Sequence, residues 1–118
     1  MKTLVLGAST KPERFSFKVI RLLRKYEHEV LAIGLTSGKV DDVEFLTGTP
    51  ELKDIHTVTV YLNKQNQKHF YSYIISLKPK RIIFNPGTEN SELEELAKQN
   101  SIVPVRNCTL VMLGNDEY

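Results

Sequence analysis

The 118-residue sequence predicts an α/β fold with a doubly wound, mainly parallel five-stranded sheet and helices on both faces. Short apolar runs rich in β-branched residues alternate with longer segments of helical periodicity, which is the pattern of a parallel sheet covered by helices. The composition, 41% hydrophobic and 25% charged, is that of an ordinary globular protein. At this length we expect one domain, residues 1–118.

The first strand and helix are predicted close to the amino end. Leu4 to Leu6 forms a buried strand that stops at Gly7. The amphipathic helix that follows has an apolar stripe made of Phe15, Val19, Leu22, Leu23 and Tyr26. A second strand is predicted from Glu29 to Ile33.

The middle of the chain contains a weaker third strand, Val43 to Leu46, and then a helix start at Thr49-Pro50. This start is expected because threonine can cap a helix and proline suits its first position. Thr57 to Leu62 is predicted as the fourth strand, and Lys64 to Leu77 as a helix that ends before Pro79.

The last third begins with a strand from Arg81 to Phe84. A capping box, with Glu94 three positions after its serine, opens a short helix from Ser91 to Lys98. Ile102 to Val105 is predicted as a last strand, whereas Thr109 to Leu113 fits either a strand or a terminal helical turn.

Right-handed crossovers leave few topologies for such a Rossmann-like sheet, and we predict the strand order 3-2-1-4-5. Ligands of such sheets bind at the carboxyl ends of the strands that flank the reversal of order, here strands 1 and 4. We therefore expect the loops after Leu6, Ile33, Leu62 and Phe84 to share one rim.

Charge and apolar patterning exclude several classes. A net charge of +2 gives no support for nucleic-acid binding. No apolar stretch approaches the ~18 residues of a membrane span, and no secretory signal pattern is present, so a cytoplasmic protein without a membrane partner is expected. The single cysteine, Cys108, excludes an internal disulfide and a thiolate zinc cluster, and no metal site is expected.

The loop after the first strand has the geometry that attracts phosphate, because it leads from a strand into the positive end of a helix. Gly7 permits a sharp turn there. Its candidate phosphate donors are the hydroxyls of Ser9 and Thr10 and the cations Lys11, Arg14 and Lys18. Only one glycine of the Gly-x-Gly-x-x-Gly fingerprint is present, so a simple turn with solvated cations explains this loop equally well.

The loop after the second strand, residues 34–39, lacks the carboxylate that commonly holds the ribose of NAD. Its Thr, Ser and Lys favour a further phosphate near the adenosine, as in NADP or coenzyme A, although a plain surface turn fits equally. The segment after the next-to-last strand, Asn85 to Asn90, offers Pro86 and Gly87 for close approach to a ligand, or simply makes a turn. Cys108 either lines the same crevice or fills space as a small apolar side chain.

No catalytic pair stands out. His28, His56 and His69 are not expected to share the rim with Cys108, and the carboxylates are typical of solvated faces. We therefore favour a ligand-binding module over an enzyme. The alternatives are an NADP-dependent oxidoreductase, for which Tyr61 is a conceivable proton donor, and a regulatory or interaction subunit without a small-molecule ligand.

Taken together, the chain resembles the family of small bacterial coenzyme A-binding proteins that are related to the nucleotide-binding domain of the succinyl-CoA synthetase alpha subunit. The similarity spans nearly the whole chain. The residues that carry it are Gly7-Ala8-Ser9 with Pro12, Arg14 and Lys18, the segments 17–23 and 29–33, and the stretch from Arg81 through Asn85-Pro86-Gly87 to Asn107-Cys108.

The resemblance implies that coenzyme A binds with its phosphates on the first loop and its pantetheine arm towards the later loops; a homodimer is compatible with it. The implied binding residues are Gly7, Ala8, Ser9, Lys11, Pro12, Arg14, Lys18, Gly34, Asn63, Pro86 and Gly87. Two departures from the family pattern occur. Gly34-Leu35 replaces the usual Pro-Asn, and Asn63-Lys64 replaces the usual Arg-Pro.

Overall fold

The computed structural model describes residues 1–118 and has the expected α/β architecture, with helices on both faces of a mostly parallel sheet. Its strands are β1 (Thr3–Ala8), β2 (Val30–Gly34), β3 (Lys39–Val40), β4 (Val43–Leu46), β5 (Thr57–Val60), β6 (Arg81–Phe84) and β7 (Val103–Arg106). Its helices are α1 (Phe15–Lys25), α2 (Lys64–Gln67), α3 (Tyr71–Leu77), α4 (Ser91–Gln99) and α5 (Thr109–Gly114).

The sheet has seven strands in the order β3-β4-β2-β1-β5-β6-β7. The predicted order 3-2-1-4-5 is contained in it, as β4-β2-β1-β5-β6, but the predicted count of five strands was wrong. The segment expected as a last strand pairs in parallel outside β6, and the two-residue strand β3 forms an antiparallel hairpin with β4. A strand of two residues is too short for periodicity to reveal.

Strand β1 lies in the centre of the sheet and is buried from both sides. Leu4 and Leu6 point to the face covered by α3 and α4, while Val5 points to the face covered by α1 and α5. Because both faces are covered, β1 and β2 are mostly apolar, as is typical of parallel sheets, whereas β5 buries Thr57 and Thr59 with their hydroxyls hydrogen-bonded.

Helix α1 has the predicted bounds within one residue, but the predicted stripe is rotated. The side chains buried against the sheet are those of Ser16, Val19, Ile20 and Leu23, which have the i, i+3, i+4, i+7 spacing of one helix face. Phe15 and Tyr26 are instead 61% and 49% exposed. The apolar residues of α1 cover more than one face, so apolarity alone did not select the buried one.

The helix predicted to start at Thr49-Pro50 does not form, and residues 47–56 have no regular secondary structure. Gly48 and Asp54 have φ values of +71° and +59°, in the left-handed region that an α-helix excludes. Ile55 packs into the core, and the Tyr73 hydroxyl donates to the Pro50 carbonyl at 2.5 Å. This crossover is therefore an ordered loop fixed by tertiary contacts.

The helix predicted from Lys64 to Leu77 is interrupted by a 3₁₀ turn, Lys68–Phe70, between α2 and α3. Phe70 breaks the helix with φ and ψ of −113° and 1°. Helix α3 ends, as predicted, before Pro79, where Lys78 is left-handed. Ile74 of α3 is buried in the core on the face shared with α4.

The structure corrects the predicted cap of α4 and decides the segment from Thr109, which the sequence left open between strand and helix. Asn90, not Ser91, caps α4, and its side-chain oxygen accepts the amides of Glu92 and Leu93. The ambiguous segment from Thr109 is a helix, α5, because its apolar residues pack on the sheet beside α1.

Replacement of Gly7 tests the backbone conformation near the end of β1, where the register with β2 shifts. Its φ is +99°, and a Cβ there would lie 3.0 Å from the Tyr61 carbonyl carbon. Gly7→Ala is expected to lower the free energy of unfolding, measured with urea, by at least ~1–2 kcal/mol. Gly114→Ala, where a Cβ meets nothing within 4 Å, is the matched control and should leave stability unchanged or slightly raised. Equal effects of the two substitutions would contradict this account.

Candidate functional site

A cleft of about 780 Å³ lies at the carboxyl ends of the central strands, within the ~300–1,000 Å³ range of small-molecule sites. We call it the main cleft. It brings together most of the predicted binding residues, namely Gly7, Ala8, Ser9, Lys11, Arg14, Asn63, Pro86 and Gly87. The shared rim predicted from the strand order is therefore present.

The main cleft forms because the chain leaves β1 and β5 towards opposite faces of the sheet. β1 continues into α1 on one face, whereas β5 continues through α2 to α3 on the other. The two strands are paired from Thr3 opposite Thr57 to Leu6 opposite Val60, so their ends lie side by side. A gap opens between diverging loops at this reversal of strand order.

The first loop lies close to the strand end that follows β5. Gly7 has positive φ at a shift in register between β1 and β2, and the Tyr61 amide donates to the Leu6 carbonyl at 2.8 Å. A side chain at Gly7 would meet Leu62 at 3.0 Å. Glycine thus lets the first loop form one wall of the main cleft.

The amino end of α1 has several backbone amides without a protein acceptor. Arg14 occupies the N-cap position and makes no capping hydrogen bond, and the amides of Phe15, Ser16 and Phe17 donate to no protein atom. By contrast, α2 and α4 are capped by the side chains of Asn63 and Asn90. Free amides at a helix start are able to bind an anion.

The main cleft is positively charged beside the amino end of α1. Among its lining residues, Lys11 and Arg14 are cations and none is a carboxylate. The Ser9 hydroxyl accepts the Lys11 amide at 3.1 Å, which orders the loop and leaves the hydroxyl proton free to donate.

Three predicted binding residues do not line the main cleft. Pro12 and Lys18 border a separate groove along the outside of α1, and the Lys18 ammonium lies 5.4 Å from the centre of the Phe15 ring. Gly34 is buried behind the cleft, where a Cβ would lie 3.0 Å from the Phe45 ring and 3.1 Å from the Ala8 carbonyl oxygen. Gly34 therefore shapes the wall of the main cleft but does not line the cleft itself.

Sequence reasoning missed several lining residues. Phe15 and Leu35, 61% and 77% exposed, both border the main cleft, as do Phe45, Asn66 and Thr88. Leu35 carried a signal, since it is an apolar residue directly after a strand in an otherwise polar turn. Phe15 was assigned to the core stripe, so its exposure beside the cleft only became visible in the fold.

The wall opposite the first loop is held by buried amide side chains. Asn85, 3% exposed, donates from Nδ2 to Thr59 Oγ1 at 2.7 Å and to the Val60 carbonyl at 2.9 Å. Its Oδ1 accepts the Thr109 amide at 2.9 Å. Asn85 therefore joins the ends of β5 and β6 to the start of α5 and fixes the backbone that leads into Pro86.

A second buried amide, Gln67, joins the next two loops. Its Nε2 donates to the carbonyls of Leu62 and Thr88 at 2.9 and 2.8 Å, and its Oε1 accepts from Asn90 Nδ2 at 2.9 Å. Asn90 Nδ2 also donates to the Tyr71 hydroxyl at 2.7 Å. We call Asn85, Gln67 and Asn90 the amide network.

The histidine, cysteine and tyrosine side chains that the sequence offers for catalysis lie in different parts of the fold. His28 and His56 precede β2 and β5, at the opposite edge of the sheet, and burial together with nearby positive charge lowers the pKa of both imidazoles. Cys108 does not line the main cleft. Tyr61 lines it, but the phenol hydroxyl lies mostly buried near Thr59 and Thr109, and this burial raises the pKa of the phenol above its ordinary value.

Two further properties concern metals and membranes. No group of three or more His, Cys, Asp and Glu side chains is arranged to hold a metal ion. None of the helices combines the length and the apolar character that crossing a bilayer needs.

The fold, with its reversal of strand order and its cleft at the strand ends, is Rossmann-like. The chain belongs to the CoA binding domain family, whose family model matches residues 1–114. The family suggested by the sequence motifs is therefore confirmed.

Solved structures share this fold. A crystal structure described only as that of an uncharacterized protein is 45% identical, with a TM-score of 0.96, over 99% of this chain and 97% of its own. A Thermus thermophilus protein is 21% identical, with a TM-score of 0.86, over 99% of this chain and 90% of its own. A search of curated proteins found no significant match.

The raised pKa of Tyr61 has a consequence for stability at alkaline pH. Because folding favours the protonated phenol, its contribution is complete below the ordinary pKa of 10.0 and is lost as the pH rises beyond it. Urea unfolding between pH 8 and about 11 should show a fall in stability that Tyr61→Phe reduces. Tyr26→Phe, which changes an exposed side chain, is the control, and an undiminished fall in Tyr61→Phe would contradict the assignment.

Proposed function

We propose that this protein binds coenzyme A or an acyl-coenzyme A in the main cleft without catalysing a reaction, and that the diphosphate lies on the first loop. The observation that carries the proposal is the uncapped amino end of α1, which faces the cleft together with Lys11 and Arg14. Membership of the CoA binding domain family supports the choice of ligand.

The energy available from this end of the cleft is sufficient for binding. Phosphate oxygens would accept charge-assisted hydrogen bonds from the α1 amides and from Arg14, each worth about 1.5–3 kcal/mol. A few such bonds support micromolar affinity, which corresponds to about −8 kcal/mol. The lining contains no carboxylate, and Glu89, whose Oε1 accepts the amide of the lining residue Gly87, belongs to the loop after β6 rather than to the first loop.

The rest of the cleft suits the other parts of coenzyme A. Leu35 and Phe45 line the side next to β2, where apolar surface can cover a base. Asn63, Asn66 and Thr88 line the opposite side, which is neutral and polar. An extended arm containing amides, such as pantetheine, matches that side because it carries hydrogen-bonding groups and no charge.

The lining also supports binding rather than catalysis. It contains no histidine, cysteine or carboxylate side chain, and the phenol of its one tyrosine, Tyr61, is largely buried, which raises the pKa of that phenol. A hydride-transfer enzyme would need a proton donor with a pKa near the working pH. The oxidoreductase alternative therefore has no observation in its favour at this site.

Arg14→Ala tests the phosphate position. Loss of one charge-assisted hydrogen bond is expected to weaken coenzyme A binding about tenfold or more, measured by isothermal titration calorimetry. Lys25→Ala removes a positive charge at the other end of α1, outside the cleft, and should change affinity little. If the two variants bind equally well, Arg14 does not contact the phosphates.

A ligand panel tests the proposal as a whole. Calorimetric titration of coenzyme A, acetyl-coenzyme A, NADPH and NAD into the wild-type protein is expected to give binding for the first two and none for the last two. Binding of NADPH without coenzyme A would favour an oxidoreductase, and silence from all four would favour an interaction subunit. Either result would overturn the proposed function.

A further inference from the structure

We propose that Gln67 is a positioning residue for the thiol-bearing arm of the ligand, because it sets the spacing between the two loops that form the neutral end of the main cleft. The inference rests on the proposed function. Gln67 is fully buried and does not line the cleft, so it would act through the loops that it joins.

The contacts of Gln67 are made to backbone next to the cleft. Its side-chain amide donates to the carbonyl of Leu62, which precedes Asn63, and to the carbonyl of Thr88, which follows Gly87. Leu62 and Thr88 belong to loops after different strands, β5 and β6. One planar group with two fixed donors therefore determines how far apart these loops lie.

The carbonyl oxygen of the Gln67 side chain fixes the orientation of the amide group. Oε1 accepts from Asn90 Nδ2, so the amide cannot rotate by 180° without placing like groups together. Asn90 in turn caps α4, whose position is set by the core. The spacing of the loops is thus tied to a rigid helix.

Burial makes this arrangement specific for glutamine. No buried side-chain polar atom of the protein lacks a partner, and Gln67 satisfies two backbone carbonyls that have no access to water from its side. An apolar side chain of the same length would leave those two carbonyls without a donor and would remove one of the two acceptors of Asn90 Nδ2. The loops would then move to reach water or other donors, and the neutral end of the cleft would change shape.

The two ends of the cleft respond differently to this change. The α1 amides, Lys11 and Arg14 belong to the first loop and α1, which make no hydrogen bond with Gln67. Loss of Gln67 should therefore reduce the contribution of the arm to affinity and leave the phosphate contribution in place. A residue with only a general structural role would weaken both.

The experiment compares two ligands by isothermal titration calorimetry. Coenzyme A carries the arm, and 3′-phospho-ADP, its nucleotide part, does not. In Gln67→Met, coenzyme A is expected to bind about three- to tenfold more weakly than in the wild type, while the affinity for 3′-phospho-ADP stays within about twofold. Equal losses for both ligands, or no loss for either, would overturn the positioning role.

A stability control separates local from global effects. Thr3 is fully buried at the opposite edge of the sheet and bonds to the Met1 carbonyl and the Tyr118 hydroxyl. Thr3→Val removes these bonds far from the cleft and should change neither affinity, even where it lowers the unfolding temperature as much as Gln67→Met. A selective loss of coenzyme A binding in Thr3→Val would also overturn the inference.

A measurement on the wild-type protein tests the positioning role without depending on the folding of a variant. The side-chain amide NMR signal of Gln67 is expected to shift on binding coenzyme A and to stay in place with 3′-phospho-ADP. An unmoved signal with bound coenzyme A overturns the positioning role alone. Failure of the wild type to bind either ligand overturns the proposed function first, and the positioning role with it.

Discussion

The structure depends on the divergence of the chain at the ends of two neighbouring parallel strands. β1 and β5 pair in register, yet β1 leads to the face of α1 and β5 to the face of α3. Since parallel connections must be right-handed, the two loops separate where the strand order reverses. The main cleft follows from this topology, and its lining residues come from loops that are distant in sequence.

At the carboxyl edge of the sheet, backbone polar groups are hydrogen-bonded within the protein on one side and are left without protein partners at the start of α1. On the side of β5 and β6, the amide network satisfies carbonyls and amides internally, so that this wall is rigid. At the start of α1, the amides are left without partners and face the cleft. Groups of this kind bind water or an anion, which is why the proposed function places the diphosphate beside the start of α1.

The strand order also sets the order of the residues that line the cleft. Leu35 and Phe45 border it beside β2, Lys11 and Arg14 belong to the loop that follows β1, and Asn63 and Asn66 follow β5. A ligand with an apolar group on one side, negative charge in the middle and a neutral polar arm matches this order. The family membership and the geometry therefore support the same class of ligand from independent directions.

The sequence by itself determined the class of fold, the order of the central strands and the first loop. The alternation of β-branched and amphipathic segments is local, and the pairs of strands follow from handedness rules, so neither requires knowledge of distant contacts. Gly7 could be identified because it directly follows an apolar run, where glycine permits the positive φ that the structure has there. The same holds for Lys11 and Arg14, whose place beside a helix start is encoded by adjacent residues.

Only the tertiary structure decided the features that depend on packing between distant segments. The face of α1 that is buried, the loop at residues 47–56 and the break at Phe70 were each decided by contacts with other elements. Gln67 looked like one polar residue in a helix, and its role appeared only when the loops after β5 and β6 came together around it. The physical reason is that a buried polar side chain is defined by its partners, and those partners lie far away in the sequence.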